Sequence, residues 1–177
     1  MEIYFLKIDS IDVEKLEIEN KYSCKKRNIE YNLGRYLVKS IAKSVYNLDN
    51  TEIVDEKKPY FKYSNLNFSI SHSDKIIGVA FSEDILGLDI EKVKQRNYTE
   101  IAKRMHFDCN NLKEFYKCWT CFEARYKSKK NDCLSFEYED YICSVSEDET
   151  DNVNVFLVKF SNDKILLTNW AIKNFIL

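Results

Sequence analysis

The sequence predicts an α+β fold of small antiparallel sheets packed with helices, and three observations carry that prediction. Short apolar runs of strand length recur along the chain, two longer runs have helical periodicity, and the two kinds are interleaved without a regular strand–helix–strand rhythm. A chain of 177 residues with 45% hydrophobic and 14% aromatic side chains can bury a core, as one compact domain or two small halves sharing it. Only 3 Gly and 1 Pro leave no room for a loop-dominated or low-complexity chain.

Residues 2–8 alternate well enough for a strand, and residues 11–22 read as a helix. A longer helix is expected from about Cys24 to Tyr46, where Ile29, Leu33, Leu37, Ile41 and Val45 repeat every four residues. Pro59 interrupts a linker. Residues 67–72, 76–82 and 86–92 then read as strands, the first two joined at Ser73-Asp74-Lys75. Residues 97–105 are expected to be helical with Asn97 as cap, and 111–128 helical because Leu112, Phe115, Tyr116, Trp119 and Tyr126 trace one face. The remainder is strand-like: 134–145, then Val153–Phe160 and Ile165–Ile172, joined at Ser161-Asn162-Asp163-Lys164.

Lys+Arg 27 against Asp+Glu 29 gives a net charge of −2, so nothing draws the whole chain to nucleic acid or to an anionic membrane. Any anion site must be local. The stretch Met1 to Ile8 lacks the basic flank of a signal peptide, and no later run approaches membrane-spanning length. A cytoplasmic location is therefore expected, with all six cysteines reduced. Cys118 and Cys121 form a C-x-x-C with His106 and Cys109 upstream, a conceivable zinc set. No second C-x-x-C accompanies it, and small apolar packing residues inside a helix is the preferred reading.

Three segments carry chemistry. In Gly87-Leu88-Asp89-Ile90-Glu91 a strand would project Asp89 and Glu91 from one face, a pair suited to a hard divalent cation or simply to a solvated strand face. Glu123 lies four residues after Trp119 and eight after Phe115, beside the aromatic stripe, where a carboxylate needs a partner. Lys127, one turn on, is one such partner; a cation shared with Asp89 and Glu91 is another. In Asn67-Phe68-Ser69-Ile70-Ser71-His72-Ser73 the serines oppose Phe68 and Ile70. His72 either belongs to the turn or is half buried on the apolar side, as a strand-end residue or a phosphate donor.

Taken in series, N-F-S-I-S-H-S, G-L-D-I-E and W-T-x-x-E-A-x-x-K resemble the three signature motifs of the 4′-phosphopantetheinyl transferase superfamily, with Lys58-Pro59 resembling the Lys-Pro before the first. The resemblance covers about residues 57–128 and is similar to the longer, pseudo-dimeric bacterial type in compact form. It implies two similar halves, 1–86 and 87–177, with the site in the cleft between them.

The resemblance further implies Mg²⁺ held by Asp89, Glu91 and Glu123, with coenzyme A as co-substrate and an apo acyl or peptidyl carrier protein as partner. Glu123, Lys127 and His72 would be catalytic; Lys58, Pro59, Ser71, His72 and Lys127 would bind the coenzyme, and Lys25, Lys26 or Arg27 would reach its 3′-phosphate. A monomer is expected. Three positions depart from the family pattern: Lys57 replaces Gly, Phe122 replaces a basic residue before Glu123, and Lys129-Lys130-Asn131-Asp132 replaces a Gly-rich stretch. Phe122 leaves a non-catalytic homologue that binds coenzyme A or a carrier protein as the alternative.

Overall fold

The computed structural model describes residues 1–13, 18–148, 152–161, 164–172 and 175–176. Strand β1 (Glu2–Lys7) buries Ile3, Tyr4, Phe5 and Leu6 in succession, because it lies inside a sheet covered on both faces. Helix α1 (Lys25–Ser44) turns Leu33, Leu37, Val38 and Ile41 inward. A short hairpin of β2 (Ile53–Val54) and β3 (Tyr60–Phe61) brackets Lys57, Lys58 and Pro59. Strands β4 (Asn67–Ser73) and β5 (Ile76–Ser82) follow, turning at Asp74, whose φ of 55° is the left-handed conformation that aspartate tolerates. Next come β6 (Gly87–Lys92), α2 (Thr99–Met105) and α3 (Leu112–Ser128). The chain closes with β7 (Leu134–Tyr138), β8 (Tyr141–Ser146), β9 (Asn154–Ser161), β10 (Lys164–Trp170) and β11 (Phe175–Ile176).

Two larger sheets result, ordered β10-β9-β1-β5-β4 and β11-β7-β8-β6. Every pairing is antiparallel except β1 with β9, so the first sheet combines strands from both sides of residue 87. One face of the five-stranded sheet packs Tyr4, Leu6, Val79 and Phe81 against Leu33, Leu37 and Ile41 of α1. Its other face sets Ile3, Phe5 and Ala80 against Leu88, Ile90, Phe136 and Cys143 of the four-stranded sheet. A fully buried phenylalanine in such a layer contributes roughly 1.5–3 kcal/mol. Helix α3 covers the far face of the second sheet.

Several expectations change. Residues 11–13 and 18–22 form no α-helix, and 14–17 lie outside the described residues, so the helix at 11–22 does not stand; a short 3₁₀ turn at Ile8–Ser10 precedes it instead. The run 134–145 is a hairpin, turning at Glu139 with φ 52°, because Phe136 and Tyr138 must pair with Cys143 and Tyr141. Asn97 accepts from the Thr99 hydroxyl and is not the helix cap, whereas Asn111 caps α3 by accepting from the Lys113 and Glu114 amides. The last long strand ends at Trp170, and the 162–163 part of its turn lies outside the described residues.

Candidate functional site

The serine alternation of β4 has a structural purpose. β6 is an edge strand whose odd-numbered residues pair with β8, leaving the amides of Leu88, Ile90 and Lys92 pointing away from its sheet. These amides donate to the hydroxyls of Ser69, Ser71 and Ser73 at 3.0, 3.1 and 3.0 Å. Side chains therefore do what a neighbouring strand's carbonyls would otherwise do, and they join the edges of the two sheets. The Ser71 hydroxyl then donates to Asp89 Oδ1 at 3.0 Å and that of Ser73 to Glu91 Oε2 at 2.8 Å. Ser71 thus orients a carboxylate within the strand seam and does not line the adjoining cavity.

Helix α3 supplies the third segment. Its innermost face is Tyr116, Thr120, Ala124 and Ser128, spaced by four, so backbone and sheet come close. A Cβ on Gly87 would stand 2.0 Å from the Ala124 carbonyl oxygen, which is why a glycine opens β6. Thr120 and Ser128 bond the Ser144 and Ser146 hydroxyls at 2.7 and 2.9 Å and fix the helix register. That register brings Lys127 Nζ to Asp89 Oδ1 and to the Leu88 carbonyl, both at 2.8 Å. Asp89 is buried, so this charge-assisted pair is protected from solvent. Burial raises the Glu91 carboxyl above its ordinary range, the Ser73 bond opposes that, and the Asp89 charge adds to it.

The opposite face of β4 opens on a cavity of about 600 Å³. Lys58, Pro59, His72 and Lys127 line it as expected, and so does Arg27. Lys25 and Lys26 do not: the first faces a separate depression, and the second reaches Glu30 at 3.5 Å. His72 belongs to β4 and not to the turn, and its side chain is 43% exposed, with Nδ1 3.5 Å from Glu30 Oε2. Burial depresses its imidazole below 6.5; Glu30 opposes the shift, and Lys127, Lys26 and Arg27 reinforce it. Burial likewise lowers Lys58, whose ammonium donates to the Leu86 carbonyl at 3.3 Å.

Sequence reasoning missed half of this wall. Arg35, Lys57 and Lys129 complete six cationic lining residues against one lining carboxylate, Glu30. Lys57 and Lys129 stand where the motif comparison registered only a lost glycine and a lost Gly-rich stretch. Arg35 and Lys21 converge with the Tyr31 hydroxyl on Asp55; despite its partial burial, these donors hold Asp55 well below the usual carboxylate range. Tyr22 and Tyr31 add aromatic faces, with the Arg27 guanidinium 4.4 Å from the Tyr22 ring centre. Tyr126, expected on the core stripe, is exposed and lines the cavity, with the Lys129 ammonium 3.8 Å from its ring centre.

Other expectations meet this geometry with mixed results. Glu123 is half exposed on α3, one turn before Lys127, and among the described residues it has no ion pair. No group of three or more His, Cys, Asp or Glu side chains close enough to hold a metal forms among the described residues. Asp89 and Glu91 share a face of β6, and Lys127, not Glu123, stands against Asp89. Two hard carboxylates on one face, one held above its ordinary range, are still a donor set that a divalent cation with oxygen ligands fits. Phe122 is exposed and packs against Phe107, away from the cavity, so its substitution for a basic residue does not strip the lining of charge. Cys121 and Cys133, with Cα atoms 6.0 Å apart, are joined in a disulfide, so not all six cysteines are free thiols. That bond takes Cys121 out of the conceivable zinc set, and Cys118 remains a partly buried thiol within α3.

No family model matches the chain. Curated relatives do. A Haemophilus influenzae protein provisionally named a 4′-phosphopantetheinyl transferase is 27% identical over 133 residues, covering 67% of this chain and 56% of that protein. The 4′-phosphopantetheinyl transferase ffp of Bacillus subtilis is 27% identical over 133 residues, 66% of this chain and 58% of its own length. Sfp of the same species, also named a 4′-phosphopantetheinyl transferase, reaches 38% over a shorter stretch of 77 residues, 41% of this chain and 34% of that protein. The chain spans about half the length of the relatives it matches.

Proposed function

Because this chain belongs to the 4′-phosphopantetheinyl transferase superfamily, we propose that it transfers the 4′-phosphopantetheine arm of coenzyme A to a serine of an apo acyl or peptidyl carrier protein. The observation that carries this reading is the meeting of the three motif segments beside one cation-lined cavity: Ser71 of β4 and Lys127 of α3 both contact Asp89 of β6, and Lys127 also lines the cavity. The ligand class follows from charge. Six lining cations against one carboxylate suit a ligand with several phosphates, as coenzyme A is. In this reading residues 1–86 and 87–177 act as two halves meeting at the β4–β6 seam, in a monomer working in the cytoplasm without nucleic acid or membrane. Among the described residues no helix is long and apolar enough to cross a membrane.

Asp89 and Glu91 would hold Mg²⁺, which when bound would neutralise pyrophosphate charge and polarise the phosphorus. The remaining work falls to side chains. Lys127 and His72 stabilise phosphate oxygens as charge shifts toward the leaving group. Lys57 and Lys58 hold the nucleotide end, and Arg27 and Arg35 the 3′-phosphate. Glu123 accepts the proton of the carrier serine as its oxygen bonds to the β-phosphorus. The bridging P–O bond breaks, and adenosine 3′,5′-bisphosphate leaves.

The test is direct. Protein, Mg²⁺, coenzyme A and a panel of apo carrier proteins are incubated and read by intact mass. Addition of one phosphopantetheine to a carrier is expected. Coenzyme A binding without transfer to any carrier overturns catalysis in favour of the non-catalytic homologue.

A further inference from the structure

The three seam serines are not equivalent. Ser69 accepts an amide and is hydrogen-bonded to no carboxylate among the described residues, whereas Ser71 and Ser73 each accept an amide and donate to an acid. Asp89 has a second holder in Lys127. Glu91 has none: among the described residues Ser73 is the one hydrogen-bond donor to its carboxylate, and no ion pair reaches it. Asp89 and Glu91 share a strand face, so their like charges push apart, while the charges of Arg96 and Lys127 favour the ionised Glu91 without an ion pair to it.

The backbone fixes the Ser73 hydroxyl by giving it the Lys92 amide, and this aims its single proton at Glu91. A hydroxyl orients a carboxylate without adding positive charge, which a lysine in the same place would do. From this geometry we infer that Ser73 is a positioning residue, holding Glu91 beside Asp89 with the Glu91 charge left available to a divalent cation. The inference rests on the transferase reading, in which that pair holds Mg²⁺. Orienting groups behind metal ligands are commonly worth 10–100-fold in affinity.

Mn²⁺ serves as the probe, with free ion counted by its electron paramagnetic resonance signal against the full chain and coenzyme A. Ser73→Ala should weaken Mn²⁺ binding about tenfold, and Ser73→Thr, which keeps the hydroxyl, should stay within about twofold of the wild type. Coenzyme A affinity at saturating metal should be unchanged in both. Wild-type Mn²⁺ affinity in a folded Ser73→Ala chain overturns the inference, as does failure of folded Ser73→Thr to restore binding. Backbone amide exchange gives a metal-free readout: the Lys92 amide should exchange faster in Ser73→Ala while Leu88 and Ile90 stay protected. Wild-type protein that takes up no Mn²⁺ with coenzyme A present overturns the functional reading instead. The seam is then judged on exchange alone, where an unchanged Lys92 amide overturns it.

Discussion

The two walls of the site are built on opposite principles. On the seam side, Ser71, Ser73, Asp89, Glu91 and Lys127 are held by one another or by backbone at 2.8–3.1 Å. On the cavity side, cations outnumber anions; among the described residues Arg27, Lys57, Lys58 and Lys129 line it without a carboxylate partner. The first wall is hydrogen-bonded throughout in the absence of any ligand, with the Glu91 charge alone left without an ion pair among the described residues. The second keeps an excess of positive charge, and partial desolvation lowers the basicity of Lys58 even though the residue is exposed. A fold that tolerates such an imbalance has an anion to gain there. Geometry is therefore set by the seam, and affinity by the cavity.

Substitutions can break that division in order of size. Lys127 belongs to both walls, so Lys127→Met should cost most, about a hundredfold in kcat/KM, the range for losing one charged donor. Steady-state kinetics against coenzyme A checks it, and unchanged values would remove Lys127 from the site. Gly87→Ala tests the seam through packing alone. Its methyl has no room against the Ala124 carbonyl, and urea unfolding should record a loss of about 3 kcal/mol, the upper end for overpacking.

Lys129 sharpens the comparison, because the two walls predict opposite signs for one change. It has a φ of 63°, where glycine is preferred. Lys129→Gly should stabilise the fold by about 1 kcal/mol while raising the KM for coenzyme A. A thermal melt together with kinetics reads both signs.

The smallest effect belongs to His72. Its imidazole is depressed below 6.5 in the folded chain, chiefly by burial, so the unfolded chain binds the proton first as pH falls. Wild-type stability should therefore decline below about pH 6.5, and His72→Gln should lack that part of the decline. Partial exposure screens the difference to a few tenths of a kcal/mol. Urea unfolding at about pH 7.5 and 5.5 compares the two.

Much of the seam was legible in the sequence because it is encoded locally. Alternation places Ser69, Ser71 and Ser73 on one face and Asp89 and Glu91 on another, and the structure keeps both patterns. The partnership between the faces was not legible. A serine that accepts an edge amide has the same sequence signature as one that meets a phosphate, and only the approach of β4 to β6 distinguishes them. The cavity was less legible still. Arg35 lies in the middle of a helix whose apolar spacing says nothing of its polar face, and Lys57 and Lys129 were noticed only as missing glycines. Among the described residues, the 11–22 region shows no α-helix, and the 134–145 run is divided at Glu139, where periodicity gives no warning of a turn.

The central claim is that the β6 carboxylates work through a bound cation in a transfer reaction, and one experiment addresses it most directly. Transfer to a carrier protein is measured against Mg²⁺ concentration for the wild type and for Asp89→Asn, which keeps the side chain's shape, with circular dichroism confirming that both are folded. The expected result is wild-type transfer that disappears on chelation and returns with Mg²⁺, and a folded Asp89→Asn chain that transfers nothing measurable at any concentration. Transfer that survives chelation, or a folded Asp89→Asn chain near the wild-type rate, would contradict it.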